Sequence, residues 1–180
     1  MPQCATPLAD HLITPQNAAL LLIDYQPAQL AAVHSIDHAL LVKNAVSTVK
    51  TIKTFGVPVV HSTVNVASGQ GQPTLPELAD LLEDDEPLDR TTINSWEDIE
   101  FVQAVHATSR RKVILCALWT EACMAFAALD ALREGYEVYP VIDAIGGTSP
   151  EAHRAGLDRV IQAGVKPISW ISRPQTGPRH

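Results

Sequence analysis

From Ala19 to Ile23 the chain is apolar at every position, and it then meets Asp24. A strand with one solvated face alternates polar and apolar residues, whereas an unbroken apolar run has to be covered on both faces, as in a parallel sheet flanked by helices. The run Val113-Ile114-Leu115-Cys116-Ala117-Leu118 has the same character. Further strands are expected at residues 57–61, 86–90, 136–142 and 165–170. Helices are expected between them. Residues 37–55 carry Leu40, Leu41, Ala45, Val49 and Ile52 at helical spacing and stop at Gly56. Residues 97–108 and 124–133 follow, then 149–162 with Ser149 as cap and Pro150 at the first position. Strands alternating with helices imply right-handed crossovers and an α/β three-layer αβα sandwich around a Rossmann-like, six-stranded parallel sheet. A length of 180 residues suits one domain, 1–180, with a core over about 15–172. Residues 62–76 are expected to form a loop over the site, and 172–180 a tail that is loose or docks on a neighbour.

The strand at 113–118 runs into Trp119-Thr120-Glu121-Ala122-Cys123. Thr120 reads as the cap of the next helix and Cys123 as the third residue of its first turn. Unpaired backbone N–H groups and the positive end of the helix dipole there favour a thiolate. The plainer alternative is that free cysteine packs as a small hydrophobe. That alternative is preferred for Cys116, in mid-strand, while Cys4 falls in the N-terminal tail. Parallel sheets gather ligands at the carboxyl ends of their strands, so Asp24 and Cys123 are expected on one rim. Arg90 brings a permanent cation to the same edge. It also follows Glu83-Asp84-Asp85-Glu86, and a surface ion pair with those acids is the competing reading.

Taken together, Leu22-Ile23-Asp24-Tyr25-Gln26, Ile93-Asn94-Ser95-Trp96, Leu118-Trp119-Thr120-Glu121-Ala122-Cys123, the stretch 131–138 and Val141-Ile142-Asp143-Ala144 resemble the isochorismatase-like cysteine hydrolases. The resemblance implies a triad of aspartate, lysine and cysteine. Asp24 and Cys123 match it, but the lysine position holds Arg90, and no lysine lies between Lys53 and Lys112. It also implies a non-proline cis peptide between Leu118 and Trp119. The implied function is a cysteine hydrolase of a small amide or ester-like substrate, with Cys123 as nucleophile, Asp24 as general base and acid, and Arg90 as the stabilising charge. The oxyanion is expected to meet the backbone N–H groups of Trp119 and Cys123. Tyr25, Gln26, Asn94, Trp96 and Trp119 are candidate substrate contacts, each with a core or bracing role as the alternative. Two rival functions are isochorismatase-type vinyl-ether hydrolysis and a binding or assembly protein whose triad has decayed.

A net charge of −7 argues against a nucleic-acid partner, and no apolar run approaches the roughly 20 residues of a membrane span. Three widely spaced cysteines suit a reducing compartment, so a cytoplasmic protein without membrane partners is expected. No cofactor is indicated. No metal is expected either, because His61 stands without the Asp-x-His pair that related nicotinamidases use. His11, His34, His38, His106 and His153 read as solvated, and Asp143 as a loop brace. Self-association into a homo-oligomer is implied by the resemblance.

Overall fold

The computed structural model describes residues 12–172. Five parallel strands, β1 (Ala18–Ile23), β2 (Val59–Val64), β3 (Leu88–Arg90), β4 (Lys112–Ala117) and β5 (Glu137–Pro140), lie in the order β3-β2-β1-β4-β5. The helices are α1 (Pro27–Ala31), α2 (His38–Thr54), α3 (Pro76–Ala79), α4 (Ile99–Ala107), α5 (Ala125–Arg133) and α6 (Pro150–Ala163). The α/β architecture expected from the sequence is present, and none of these helices is long and apolar enough to cross a membrane.

Every residue of β1 and of β4 is buried, because successive side chains point to opposite faces and both faces are covered. Leu20, Leu22, Ile114 and Cys116 pack with Leu41, Ala45, Val49 and Ile52 of α2. On the other face Leu21, Ile23, Val113 and Leu115 pack with Phe101 and Val105 of α4, the alanines of α5 and Val160 of α6. Burying each large aliphatic side chain contributes about 1.5–3 kcal/mol. The local stops follow the sequence: the Asp37 side chain accepts from Leu40 N–H at 2.9 Å to start α2, and Gly56 takes φ +66° just beyond its end. Ser149 likewise caps α6, accepting from Ala152 N–H at 3.0 Å.

The expected sixth strand is reduced to a single bridge, between Val141 and Ile168. Lys166 N–H and Ile168 N–H still donate to Val138 O and Pro140 O, and Ile142 N–H to Ile168 O. The bond that would extend this ladder needs an N–H at residue 140, and proline has none. Two helix starts also differ from expectation. The segment 97–108 divides into a 3₁₀ turn (Ser95–Glu97) and α4, capped by Asp98 through Phe101 N–H at 2.9 Å. The segment after β4 begins with a π-helix, Thr120–Met124, whose cap position is Trp119 and not Thr120. The stretch expected as loop from residue 62 enters later, because β2 runs on to Val64. The expected tail at 172–180, like Cys4 and His11, lies outside the described residues, apart from Ser172 itself.

The strand order reverses direction between β1 and β4, since β1 leads outward to β2 and β3 while the chain later returns to its other side. Such a switch point opens a crevice at the carboxyl ends of the two strands. Asp24 directly follows β1, and the π-helix follows β4.

Candidate active site

Asp24 leaves β1 with φ +61°, the left-handed region that aspartate and asparagine tolerate better than most residues. Its backbone N–H donates to Ser62 O at 3.0 Å, which ties the turn to β2. Arg90, the last residue of β3, reaches across the end of β2 to it. Nη1 donates to Asp24 Oδ1 and Nη2 to Asp24 Oδ2, both at 2.7 Å. The same guanidinium donates to Ser62 Oγ and Thr63 O, each at 3.0 Å, and to Ile93 O at 3.2 Å. Both side chains are 1 % exposed, so this is a buried, two-pronged ion pair and not a surface contact with the acidic run. Asp85 from that run pairs with Lys53 instead, at 2.5 Å. Burial works against the Arg90 charge, yet the hydrogen bonds and charge of Asp24 outweigh it and hold the guanidinium more basic than usual.

Cys123 lies in the π-helix, 7 % exposed, in the core layer that contains α4, α5 and Trp96. Its thiol lies close enough to Asp24 and Arg90 to feel both charges. The peptide between Leu118 and Trp119 is cis. The burial of the site works against the thiolate expected from the helix start. Burial first, and then the neighbouring Asp24 carboxylate, push the Cys123 thiol up to about 12, against the smaller opposite pulls of Arg90 and the Trp119 N–H. A helix N-terminus lowers a thiol pKa only where the thiolate keeps some solvation, and here it has almost none. Cys116 is also pushed up to about 12, mainly by burial.

The π-helix is held from behind. Thr120, expected to cap it, instead pairs its Oγ1 with His153 Nδ1 of α6 at 2.8 Å. Glu121 Oε1 accepts from Thr148 N–H at 2.9 Å and from Thr148 Oγ1 at 2.5 Å. Gly156 of α6 sits so close that a Cβ there would lie 2.8 Å from Glu121 Cα and 3.0 Å from Glu121 N. His153 is therefore not one of the solvated histidines: burial lowers its pKa, partly opposed by Glu121.

Four of the five expected substrate contacts are engaged elsewhere. Tyr25 is 1 % exposed in the α2-side core, its hydroxyl donating to Ala144 O. Gln26 is fully buried and bridges β2 to the following loop: Nε2 donates to Val64 O at 3.0 Å and Gln72 O at 2.6 Å, and Oε1 accepts from Val64 N–H at 2.9 Å. Asn94 Oδ1 accepts from Trp96 N–H, while its Nδ2 donates to Asp130 Oδ2 at 2.7 Å. Trp96 packs edge-on against Phe101 and Tyr136, its indole N–H donating to Glu134 Oε1 at 2.9 Å. The fifth, Trp119, is half-buried, and its indole N–H donates to Gln29 O at 2.8 Å. Asp143 braces a loop as expected, accepting from Trp170 N–H at 2.9 Å. His61 is buried against Thr74 Oγ1 and Asp85 O.

Sequence reasoning missed Ser62, Thr63 and Ile93 as holders of Arg90. Ser62 directly follows the expected second strand, so its place at the carboxyl edge was the available signal. The two backbone carbonyls left none.

The parallel sheet with its switch-point crevice is an α/β hydrolase-type architecture, and the sequence matches the isochorismatase domain family over residues 18–172. The chain belongs to that family of hydrolases. It is 34% identical to YcaC of Escherichia coli (strain K12), described as a probable hydrolase, over 86% of this chain and 74% of that one. The solved structure of YcaC from Escherichia coli, an octameric hydrolase of unknown specificity, superposes with a TM-score of 0.86 at 32% identity, over 93% of this chain and 81% of that one. YcaC from Pseudomonas aeruginosa, solved with hexane-2,5-diol and covalent acrylamide, gives a TM-score of 0.86 at 29% identity, over 92% and 82% of the two chains.

Proposed function

We propose that this protein is a cysteine hydrolase of small amide or ester-like substrates that works through a covalent Cys123 intermediate. The observation that carries the proposal is a carboxylate, Asp24, gripped at both oxygens by the permanent cation Arg90, with the buried Cys123 thiol within reach of both charges. Cys123 Sγ attacks the carbonyl carbon as its proton passes to Asp24, and the C–N or C–O bond then breaks as Asp24 hands that proton to the leaving group. Water cleaves the resulting thioester, its proton returning through Asp24 to sulfur. Backbone N–H groups of Trp119 and Cys123 stabilise the oxyanion.

Arg90 needs no proton-transfer role in this scheme. With Arg90 positive, Asp24 negative and the thiol neutral, the cluster is neutral at rest. Moving the thiol proton to Asp24 leaves Arg90 positive, the sulfur negative and the acid neutral. The net charge stays zero throughout, which matters because a charge step is expensive in a poorly solvated interior. The raised thiol pKa fits this order of events: the nucleophile is generated as it attacks. The covalent acrylamide on the Pseudomonas aeruginosa relative supports the reading, since acrylamide is an electrophile that thiols attack. Self-association belongs to the same proposal, supported by the octameric Escherichia coli relative.

The test is a panel of small neutral amides and esters with the purified protein, followed by mass spectrometry of acid-quenched samples. An acyl adduct on Cys123 supports the mechanism. Turnover with the adduct elsewhere, or undiminished turnover in Cys123→Ala, overturns it.

A further inference from the structure

We infer that the groove between α2 and α3 is a two-fold docking surface for a second copy of this chain. The inference rests on the self-association proposed above and names the surface that carries it. The groove encloses about 830 Å³. Its floor is aliphatic: Leu30, Val42, Val46 and Leu81 are half-buried and pack against the α2-side core, so each still offers apolar surface outward.

The banks differ in sign. Lys43 and Lys50, exposed and seven residues apart on α2, lie on one face of that helix two turns from each other. Glu77 and Asp80, also exposed, stand three residues apart on α3 and at its end. Among the described residues none of these four charges is in an ion pair; the pairs formed are Lys53–Asp85, Arg90–Asp24, His106–Glu134, Arg133–Asp130 and Lys166–Glu137. A cationic bank beside an anionic bank is self-complementary. In an isologous contact, residue i meets j while j meets i, so a two-fold rotation lays Lys43 and Lys50 of each copy against Glu77 and Asp80 of the other. Apolar floors then meet between them. Charge placed this way sets orientation and partner choice more than it sets affinity.

Two charge-reversed variants test this without touching Asp24, Arg90 or Cys123. The first, Lys43→Glu with Lys50→Glu, makes both banks acidic. The second, Glu77→Lys with Asp80→Lys, makes both basic. Each is measured at micromolar concentration by light scattering, alone and mixed in equal amounts. The expected result is that wild type has a mass above the 19.5 kDa of one chain, each variant alone has at most half the wild-type mass, and the mixture recovers it. Recovery on mixing requires that the cationic bank of one copy face the anionic bank of another, and misfolded variants do not show it. Circular dichroism of each variant checks its fold. A monomeric wild type overturns the self-association and this surface with it. An oligomeric wild type with unaltered variants, or folded variants that dissociate but fail to recover on mixing, overturns this surface and leaves self-association standing.

Discussion

Arg90 closes on Asp24 through two parallel hydrogen bonds of 2.7 Å, in a site where both side chains are 1 % exposed. Removing one partner of such a pair leaves a buried charge uncompensated, which typically costs about 3–5 kcal/mol. Arg90→Ala is therefore expected to lower unfolding stability by about that amount and to raise the Cys123 pKa further, because Arg90 is one of the groups holding it down. Arg90→Lys keeps the charge but loses the fork, and is expected to keep most of the thiol behaviour with a smaller stability loss. Urea unfolding paired with alkylation rates reads both. A loss under about 1 kcal/mol in Arg90→Ala would mean that the pair is a weak surface contact.

Asp24→Asn should separate thiol reactivity from catalysis. The carboxylate is the second cause of the raised Cys123 pKa, so neutralising it brings the thiol down and leaves Arg90 free to attract the thiolate. Alkylation near pH 8 is expected to speed up by tenfold or more, one pKa unit being a factor of ten in thiolate. Turnover is expected to disappear, because the proton acceptor is gone. Faster alkylation with intact turnover would remove Asp24 from the chemistry.

The two buried cysteines set an alkaline limit on stability. Both thiols are pushed up to about 12 in the fold, above the roughly 8.5 of an unfolded chain, so the fold favours the protonated forms. Their contribution is complete below about pH 8.5 and is lost as pH climbs from there toward 12. Thermal melts between pH 7 and 11 should show the melting temperature falling at the alkaline end. Cys116→Ala, which removes one of the two groups, should flatten that fall, and an equally steep profile in the variant would contradict the assignment.

Gly156→Ala tests whether α6 sets the position of Cys123. A methyl there meets backbone atoms of Glu121 and Thr120 at 2.8–3.2 Å, and backbone cannot swing aside as a side chain can. Overpacking of this kind costs about 1–3 kcal/mol. Calorimetry should find that loss, and Cys123 alkylation should change with it. A variant as stable and as reactive as wild type would show that the contact yields freely.

The layered α/β fold, and the placing of Asp24 and Cys123 on one edge of the sheet, are legible in the chain alone. Unalternating runs such as 19–23 and 113–118 demand cover on both faces, and a carboxylate or cysteine immediately beyond such runs must emerge at the carboxyl edge of the sheet. How those groups pair is a matter of contacts made across the assembled sheet. Arg90 has acids next to it in sequence, yet its partner is Asp24, 66 residues away, because β2 and β3 bring the two strand ends together. The Cys123 thiol is pushed up chiefly by desolvation, which depends on what packs around a residue and not on its place in a helix. Tyr25 turned into the core beside Asp24, and Gln26 became a brace for a loop that no local pattern linked to it. Pro140 removed one donor from the last ladder and with it the sixth strand. Hydrophobic periodicity is a property of neighbours along the chain, whereas ion pairing, burial of a titrating group and side-chain bracing depend on residues that meet only when the sheet is assembled.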